Sequence, residues 1–496
     1  MFETSSFSRR ATVSLAVALC LSACTVGPDF VPPKPVLTAH WQNDSAPHPA
    51  QMRFAEWWTV FNDPALNSLI ARSSVGGNPD VVSARERVRA ARIERRAVSS
   101  EGLPTLNGQA AYSRERLATA GVGQVLQPLL GLTPGTTGNE PEGVSYTNYS
   151  IGGIASWELD LWGRQRRRQE AANAEFTAIQ NDMEAFQLSI QAEIARTYFQ
   201  WRTVSDDLER AERKLDRAER LLNVAQTVRA HGLLADVALD EQKTLCHTAL
   251  VERDELSMKR SALHRALAVL VAGRPDDALP ELLSVTPLQA LKVPEVPAGI
   301  PSEIARNRPD IRAAEARLHA ATAAIGAAKA DFYPQITLTG QFSLDALTVA
   351  ELGWNARNTS FGPSLSLPIF NGGRLARQLE LRQSALRSAG LAYQTTVLNA
   401  WVEVENLLAN RQFLWAQYKG QVALEAEKTQ RMQALEQRYR HGDIAQTELW
   451  MTFLSDNQAE TELAHTREAL LLNEVNLTTA LGNSSRAGSV ATPRTD

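Results

Sequence analysis

Two stretches of the chain have the pattern of very long amphipathic helices. Residues 164–231 contain neither Gly nor Pro over 68 positions, and residues 374–441 contain no Pro and only two Gly residues. In the first stretch, apolar residues recur at alternating spacings of four and three, the heptad seam of helices that pack side by side. The seam consists of Val204, Leu208, Ala211, Leu215, Ala218, Leu222 and Ala225. At about 1.5 Å per residue each helix would reach about 100 Å, a length that no compact domain accommodates.

Four shorter stretches alternate between apolar and polar residues, as half-buried strands do. The predicted strands are 104–116, 145–159, 333–345 and 359–370. Strands of about ten residues suit a transmembrane β-barrel. Pro363 is a local exception within the last strand, because proline has no N–H to donate to a strand ladder. The apolar face would be formed by Leu106, Tyr112, Ile151, Trp157, Ile336, Leu338, Phe342, Phe361 and Leu365.

Four strands are too few to close a barrel, since small closed barrels need about eight. Open strand edges are not tolerated in lipid. The chain must therefore oligomerise to insert into a membrane, and the strand count alone allows a dimer, a trimer or a larger assembly.

The body of the chain is an internal tandem repeat. Asn78-Pro79-Asp80 corresponds to Arg308-Pro309-Asp310, and His231-Gly232 corresponds to His441-Gly442. Each copy would contain a short helix, a strand pair, a long helix and a second helix. The short helices are predicted near 79–101 and 309–331, and the second helices at 233–272 and 443–481. The resulting division is a signal peptide 1–23, an N-terminal belt segment 24–77, a first repeat 78–272, a linker or belt 273–307, a second repeat 308–481 and a C-terminal tail 482–496.

The N-terminus has the pattern of an export and lipidation signal. Arg9 and Arg10 precede an apolar run, which ends in Leu21-Ser22-Ala23-Cys24. This motif resembles the bacterial lipobox, which predicts that Cys24 becomes the mature N-terminus and carries N-acyl and S-diacylglycerol groups. A signal peptide cleaved at another bond is the alternative. Thr25 stands where an inner-membrane retention signal would have Asp, so the outer membrane is favoured.

Composition narrows the function classes. Charged residues make up 21% of the chain and the net charge is −4, which gives no reason to expect nucleic acid as a partner. The eight histidines show no HExxH spacing, and no Gly-rich loop follows a strand, so neither an enzyme nor a metal site nor a bound cofactor is predicted. Cys246 has no partner for a disulfide and is interpreted as a small buried helix residue.

Several blocks together resemble TolC-like outer-membrane efflux channels, in the lipoprotein (OprM/NodT-type) branch of the outer membrane factor family. The blocks are Cys24-Thr25-Val26-Gly27-Pro28-Asp29-Phe30, Trp57-Trp58, Phe61-Asn62-Asp63-Pro64, Ser156-Trp157-Glu158-Leu159-Asp160-Leu161-Trp162-Gly163-Arg164 and Leu367-Pro368-Ile369-Phe370-Asn371-Gly372-Gly373-Arg374. The resemblance covers essentially the whole mature chain.

The resemblance implies a mixed α and β fold: a trimeric outer-membrane β-barrel with four strands per protomer, continued by a long α-helical periplasmic barrel. The proline-rich segments near 25–77 and 273–307 would form an extended belt around it. The implied partners are two further copies of the chain, outer-membrane lipid, a periplasmic adaptor and an inner-membrane pump of the RND or major-facilitator type. Leu117–Val144 and the loop near Ala346–Asn358 would face the exterior.

The two His-Gly turns are the candidate periplasmic tip. His231 and Gly232, like His441 and Gly442, are more simply a cationic residue and a capping Gly at a helix end than pH sensors. Relatives often carry an Asp nine residues after the second Gly, where this chain has Met451. Carboxylates near the turns are the candidate gate residues in its place: Asp236, Asp240, Asp443 and Glu448.

A periplasmic coiled-coil lipoprotein or an adaptor without a pore is the rival from another class. The duplicated strand pairs argue against it, because a coiled coil needs no such strands. Among channels, drug efflux, metal efflux and protein secretion remain as cargo classes. The lipobox and the N-terminal block favour drug efflux, and no His/Met-rich tract indicates metal.

Overall fold

A computed structural model describes residues 25–34, 41–42, 56–75, 78–117, 144–285, 287–299 and 301–482. The helices within these ranges are α1 Pro64–Val75, α2 Pro79–Ser100, α3 Arg164–Ala230, α4 Asp236–Ala272, α5 Pro301–Asn307, α6 Pro309–Ala330, α7 Arg374–Arg440 and α8 Gln446–Ala480. The strands are β1 Thr105–Leu117, β2 Val144–Leu159, β3 Gln335–Ala346 and β4 Arg357–Ser366. In this part of the chain, no helix combines the length and the apolar character needed to cross a membrane.

The chain forms two compact units, and each combines stretches from both halves of the sequence. The first takes its described residues from Met1–Val31, Arg92–Glu175 and Leu318–Ser388. The second takes them from Pro32–Ala91, Phe176–Arg317 and Ala389–Asp496. The sheet belongs to the first unit, whereas both helix-to-helix turns and most of the apolar core belong to the second.

The two long helices have 67 residues each. Their predicted last residues, His231 and His441, lie in the turns that follow. The second helices begin at Asp236 and Gln446, three residues later than predicted, because the turn and one extended residue before each helix take up the difference.

The heptad seam of α3 is the contact face of this helix. Its first five members are buried, and Leu222 and Ala225 near the end of the helix are half-buried. Leu215 and Ala218 pack on Ala249 of α4, which makes α3 and α4 an antiparallel helical pair. Cys246 lies beside this contact in α4 as a small helix residue, and it is half-buried rather than buried as predicted.

The last described part of the N-terminal belt segment, residues 56–75, is helical where an extended chain was predicted. A 3₁₀ helix spans Trp57–Phe61 and is followed by α1. Asp63 starts α1, because its Oδ1 accepts the N–H groups of Ala65 (2.9 Å) and Leu66 (3.2 Å), with Pro64 at the first helical position. This capping outweighs the extended preference that the proline content suggested.

The same Asp63 ties α1 to α3. Its Oδ2 accepts hydrogen bonds from Tyr198 Oη (2.8 Å) and Arg202 Nη1 (2.5 Å), and all three side chains are buried. Around this contact lies an apolar core in the second unit, formed by Trp57, Phe61, Leu66, Leu69, Ile70, Phe199, Leu267 and Val271 among others.

The linker between the two halves is also partly helical. It contains 3₁₀ helices at Pro280–Ser284 and Leu288–Ala290 and the short helix α5. The backbone of Leu288 makes two hydrogen bonds to side chains of long helices. Its N–H donates to Asp206 Oδ2 (3.2 Å), and its carbonyl accepts from Arg467 Nη1 (3.3 Å). The linker is therefore fixed to α3 and α8 rather than free.

Candidate functional site

The four strands form one antiparallel sheet in the order β1-β2-β3-β4. Leu106 pairs with Ala155, Ala155 with Gly340, and Gly340 with Phe361. Residues directly opposite each other in such a sheet share a face, so this register places the predicted apolar face on one side of all four strands. Pro363 lies in β4 at the edge of the sheet, a position in which a strand tolerates proline.

The apolar face of the sheet is uncovered in the single chain. The exposed fraction is 79% for Leu106, 68% for Leu365 and 91% for Phe361. A continuous exposed apolar surface marks a site of contact with lipid or with another protein.

Both His-Gly turns are Schellman motifs. In the first, the N–H of Gly232 donates to Arg229 O (2.8 Å) and the N–H of Leu233 donates to Val228 O (3.1 Å). Gly232 has φ +74°, in the left-handed region that favours glycine. His231 Nδ1 lies 2.8 Å from Thr227 O, so this histidine is engaged by the end of α3.

The second turn repeats this geometry. The N–H of Gly442 donates to Tyr439 O (3.0 Å), and that of Asp443 donates to Arg438 O (2.9 Å). Gly442 has φ +79°. Both pairs of long helices are therefore joined by the same tight connection.

The four candidate gate acids have different surroundings. Asp236 Oδ1 lies 2.5 Å from Arg229 Nε across the first turn, and Asp240 Oδ1 lies 2.9 Å from Lys243 Nζ. Asp443 and Glu448 are exposed beside the second turn. The side chain of Met451 lies outside the described residues.

Sequence reasoning missed a contact of Arg217 near the ends of the long helices. The Arg217 guanidinium of α3 lies 3.4 Å from the ring centroid of Phe453 in α8, which is a cation–π contact. Burial and repulsion from Arg213 lower the pKa of Arg217, whereas Glu436 and Glu460 act to raise it. The sequence signal for a contact at this position was the pair Trp450 and Phe453. These residues are three apart on one face of α8, which has no other Trp, Tyr or Phe.

A cavity of about 380 Å³ adjoins this contact. Residues of α3, α7 and α8 line it, including Arg217, Glu425, Met432, Trp450 and Phe453.

Two predictions fall on residues outside the described ranges. Cys24 is one of them, so its lipidation stays a prediction. The same holds for residues 118–143 of the predicted exterior loop. The second predicted loop is described and contains two short 3₁₀ helices, Val349–Glu351 and Trp354–Ala356.

Comparison with known proteins assigns the family. The model of the family described as "Outer membrane efflux protein" matches residues 71–272 and 300–483. The toluene efflux pump outer membrane protein TtgF of Pseudomonas putida is 30% identical over 480 residues, which cover 91% of this chain and 94% of that protein. The outer membrane protein OprJ of Pseudomonas aeruginosa is 30% identical over 437 residues, 86% of each chain.

A solved structure agrees with this assignment. The open state of the Neisseria gonorrhoeae MtrE outer membrane channel is 28% identical with a TM-score of 0.78, over 93% of this chain and 99% of that one. Because the family model matches well over half of its residues and the fold agrees with that of a channel, the chain belongs to the outer membrane efflux protein family.

Proposed function

We propose that the chain is the outer-membrane channel of a tripartite efflux system and works as a lipid-anchored homotrimer. It passively conducts drugs or other small toxic molecules to the exterior, and receives them from an inner-membrane pump of the RND or major-facilitator type through a periplasmic adaptor. The observation that carries the proposal is the uncovered apolar face of the sheet, whose strand β2 runs into the 67-residue helix α3. One chain thus supplies a surface suited to lipid and a helix about 100 Å long suited to the periplasm.

The two unpaired outer strands of the sheet support an assembly of several copies. The sheet ends in β1 and β4, whose outer edges need partners in lipid. Three copies would supply 12 strands, enough for a closed barrel. The resemblance to trimeric channels supports this number among those that the strand count allows.

Small apolar compounds are the cargo class that the relatives suggest. TtgF is named for a toluene efflux pump, and ArpC, another relative, for an antibiotic efflux pump. The proposed channel contributes a passage for these compounds rather than a substrate-specific chemistry.

The two Schellman turns are proposed as the closed periplasmic tip, where an adaptor docks. Threefold symmetry would repeat each of the four gate acids three times around one axis. Like charges crowded in a narrow opening favour cations, as acidic rings do in other pores.

Planar-bilayer recordings test the channel and its tip together. We expect the wild-type protein to conduct with a cation preference. The combined substitutions Asp236→Asn, Asp240→Asn, Asp443→Asn and Glu448→Gln should reduce that preference several-fold and change the closed-state conductance. The matched control, Glu86→Gln with Glu94→Gln on the exposed face of α2, should leave both unchanged.

The possible outcomes separate the two ideas. A wild-type protein that inserts but does not conduct would contradict the channel. A conducting quadruple variant with wild-type selectivity and conductance would place the constriction away from the tip acids.

A further inference from the structure

Residues Thr25–Phe30, which follow the candidate lipidation cysteine, are held by both backbone and side-chain contacts. The N–H of Val26 donates to Trp162 O (3.1 Å), and the Val26 carbonyl accepts from Arg167 Nε (3.4 Å). Arg167 Nη2 also donates to Asp29 Oδ1 (2.7 Å). One arginine of α3 therefore binds this segment at two points.

Two glycines allow the segment to approach this closely. Gly27 has φ +111°, and a Cβ atom there would lie 2.4 Å from the Cα atom of Gly326 in α6. A Cβ atom on Gly326 would in turn lie 2.9 Å from the side chain of Arg167. The two backbones and the arginine stem are thus in direct contact, with no room for a larger residue at either glycine.

The far end of the segment is held by an aromatic contact. The ring of Phe30 stacks on that of His319, with centroids 4.4 Å apart and planes inclined by 12°. His319 Nε2 lies 2.8 Å from Glu170 Oε1, and Glu170 Oε2 accepts from Arg167 Nη1 (2.8 Å). Burial acts to raise the pKa of Glu170, but the hydrogen bonds from His319 and Arg167 outweigh it and lower the pKa, so the carboxylate is charged.

The burial of Arg167 separates this arrangement from a surface ion pair. Its side chain is 5% exposed, whereas that of Asp29 is 86% exposed. An exposed pair contributes little, but a buried guanidinium left without its partners is strongly unfavourable. Arg167 is therefore buried at the start of α3 with its guanidinium directed at the N-terminal segment, where it binds the Val26 carbonyl and the Asp29 carboxylate.

The start of the segment lies at the joint between the sheet and the long helix. A Cβ atom on Gly163 would lie 2.8 Å from Thr25 Cγ2, and Gly163 immediately precedes α3. Trp162 of the same joint donates from Nε1 to Pro334 O (2.7 Å), just before β3. The residue before Thr25 is one peptide unit away, about 3.8 Å between Cα atoms.

We propose that Thr25–Phe30 is a docking segment, that Arg167 is the residue that positions it, and that together they hold the lipid-bearing N-terminus at the joint where β2 passes into α3. This inference rests on the proposed lipid anchor at Cys24. A lipid attached there would enter the membrane at the level where the strands leave it, rather than at the end of a loose tether. Lipid and sheet would then be fixed at one depth.

Hydrogen–deuterium exchange of the full-length protein, purified in detergent, tests the docking. Mass spectrometry of the N-terminal peptide first establishes whether Cys24 carries its acyl groups. Arg167→Gln should raise the exchange rate of the Val26 amide at least tenfold, because the segment loses two of its contacts. The matched control is Arg168→Gln, the next residue of α3, whose side chain is 43% exposed and lies 3.6 Å from Glu101; exchange in this variant should stay at the wild-type rate.

A second variant covers the case in which Arg167→Gln does not fold. Asp29→Asn changes an exposed side chain, so the core is untouched, and it should raise exchange in the same segment by a smaller factor. Unchanged exchange in the folded variants, with Cys24 acylated, would overturn the docking while leaving the lipid anchor in place. A Cys24 without acyl groups would overturn both the proposed anchor and its positioning by this segment.

Discussion

At the scale of single residues, Glu474 of α8 is a carboxylic acid buried inside the second unit. Its carboxylate is fully buried, with Oε2 accepting the N–H of Val296 (3.2 Å) and Oε1 without a partner among the described residues. Arg411 Nη1 donates to the carbonyl of Val296 (2.7 Å), so the linker is held here in the same way as at Leu288. Burial raises the pKa of Glu474 to about 7, against the lowering effect of Arg411.

This pKa predicts a pH-dependent stability. Because the folded-state pKa of Glu474 lies above its unfolded value, its stabilising contribution is complete below about pH 4.5 and is lost as the pH rises through 7. Above that pH the charged carboxylate destabilises the fold by up to about 3 kcal/mol. Glu474→Gln removes the charge and should raise the midpoint of thermal unfolding at pH 8.5, with little effect at pH 5.

The control for this measurement is Glu462→Gln, an exposed carboxylate of the same helix. It should leave the unfolding midpoint unchanged at both pH values. A shift of equal size at pH 5 and pH 8.5 in the Glu474 variant would mean that Glu474 takes up no proton in this range.

Residue-level predictions succeeded where local backbone chemistry determines the structure. The His-Gly turns are an example, because a helix end followed by a left-handed glycine needs no distant partner. The aromatic residues of α8 marked a contact face, but the arginine that packs on it could not be identified. Arg217 contacts Phe453, and Arg167 contacts Asp29, across more than 130 residues of sequence. The gate role of the four acids stays a prediction.

At the scale of elements, the absence of Gly and Pro predicted the long helices, and the alternation of apolar and polar residues predicted most strand ends, to within three residues. The prediction for β4 was wrong at its end, since the strand stops at Ser366, four residues before 370 and shortly before Pro368, which has no N–H to extend the ladder. Breakers mark the ends of such elements directly. Among the short helices of the belt, α1 was missed because a single capping residue, Asp63, starts it against a proline content that favours extended chain.

Alanine substitutions should distinguish the glycines that end a helix in a left-handed turn from a glycine in a helix interior. Gly232→Ala and Gly442→Ala place a side chain at φ +74° and +79° and should each cost about 1 kcal/mol of local stability. Gly420→Ala, in the interior of α7 with open space around it, should instead stabilise the helix by about 0.5–1 kcal/mol. Amide exchange around each substituted position measures both effects, and equal changes in all three variants would contradict the assignment of the turns.

At the scale of the whole molecule, α7 presents an apolar stripe that the single chain leaves exposed. Leu391, Leu398, Val402 and Phe413 follow spacings that keep them within one narrow face of the helix. The exposed fraction of Leu391 and of Phe413 is 65%. We expect this stripe to contact the next copy in the proposed trimer.

A charge in the stripe should therefore disrupt assembly. Leu398→Asp is expected to shift the protein from trimer to monomer in native mass spectrometry, because an unpaired carboxylate cannot be buried between helices. Asn399→Asp, on the adjacent exposed position, is the matched control and should remain trimeric. Trimeric Leu398→Asp protein would move the subunit contact to another face of α7.

At this scale the chain divides into two compact units rather than into the two predicted repeats. The tandem repeat was predicted from matching motifs along the sequence. The two compact units do not coincide with its two copies. Each compact unit takes stretches from both halves, since each half contains both strands and helices. Motif spacing carries no information about which stretches pack together, so this arrangement could not be predicted.

The equal length of α3 and α7 restricts how the gene can change. One inserted residue would lengthen a helix by about 1.5 Å and rotate everything after it by about 100°, which would turn the buried seam toward water. An insertion in α3 alone would also leave its turn out of step with that of α7, since both helices now have 67 residues. Insertions and deletions are thus tolerated only in steps of about seven residues and in both helices at once. The periplasmic reach of such a protein can evolve only in coordinated jumps of about 10 Å.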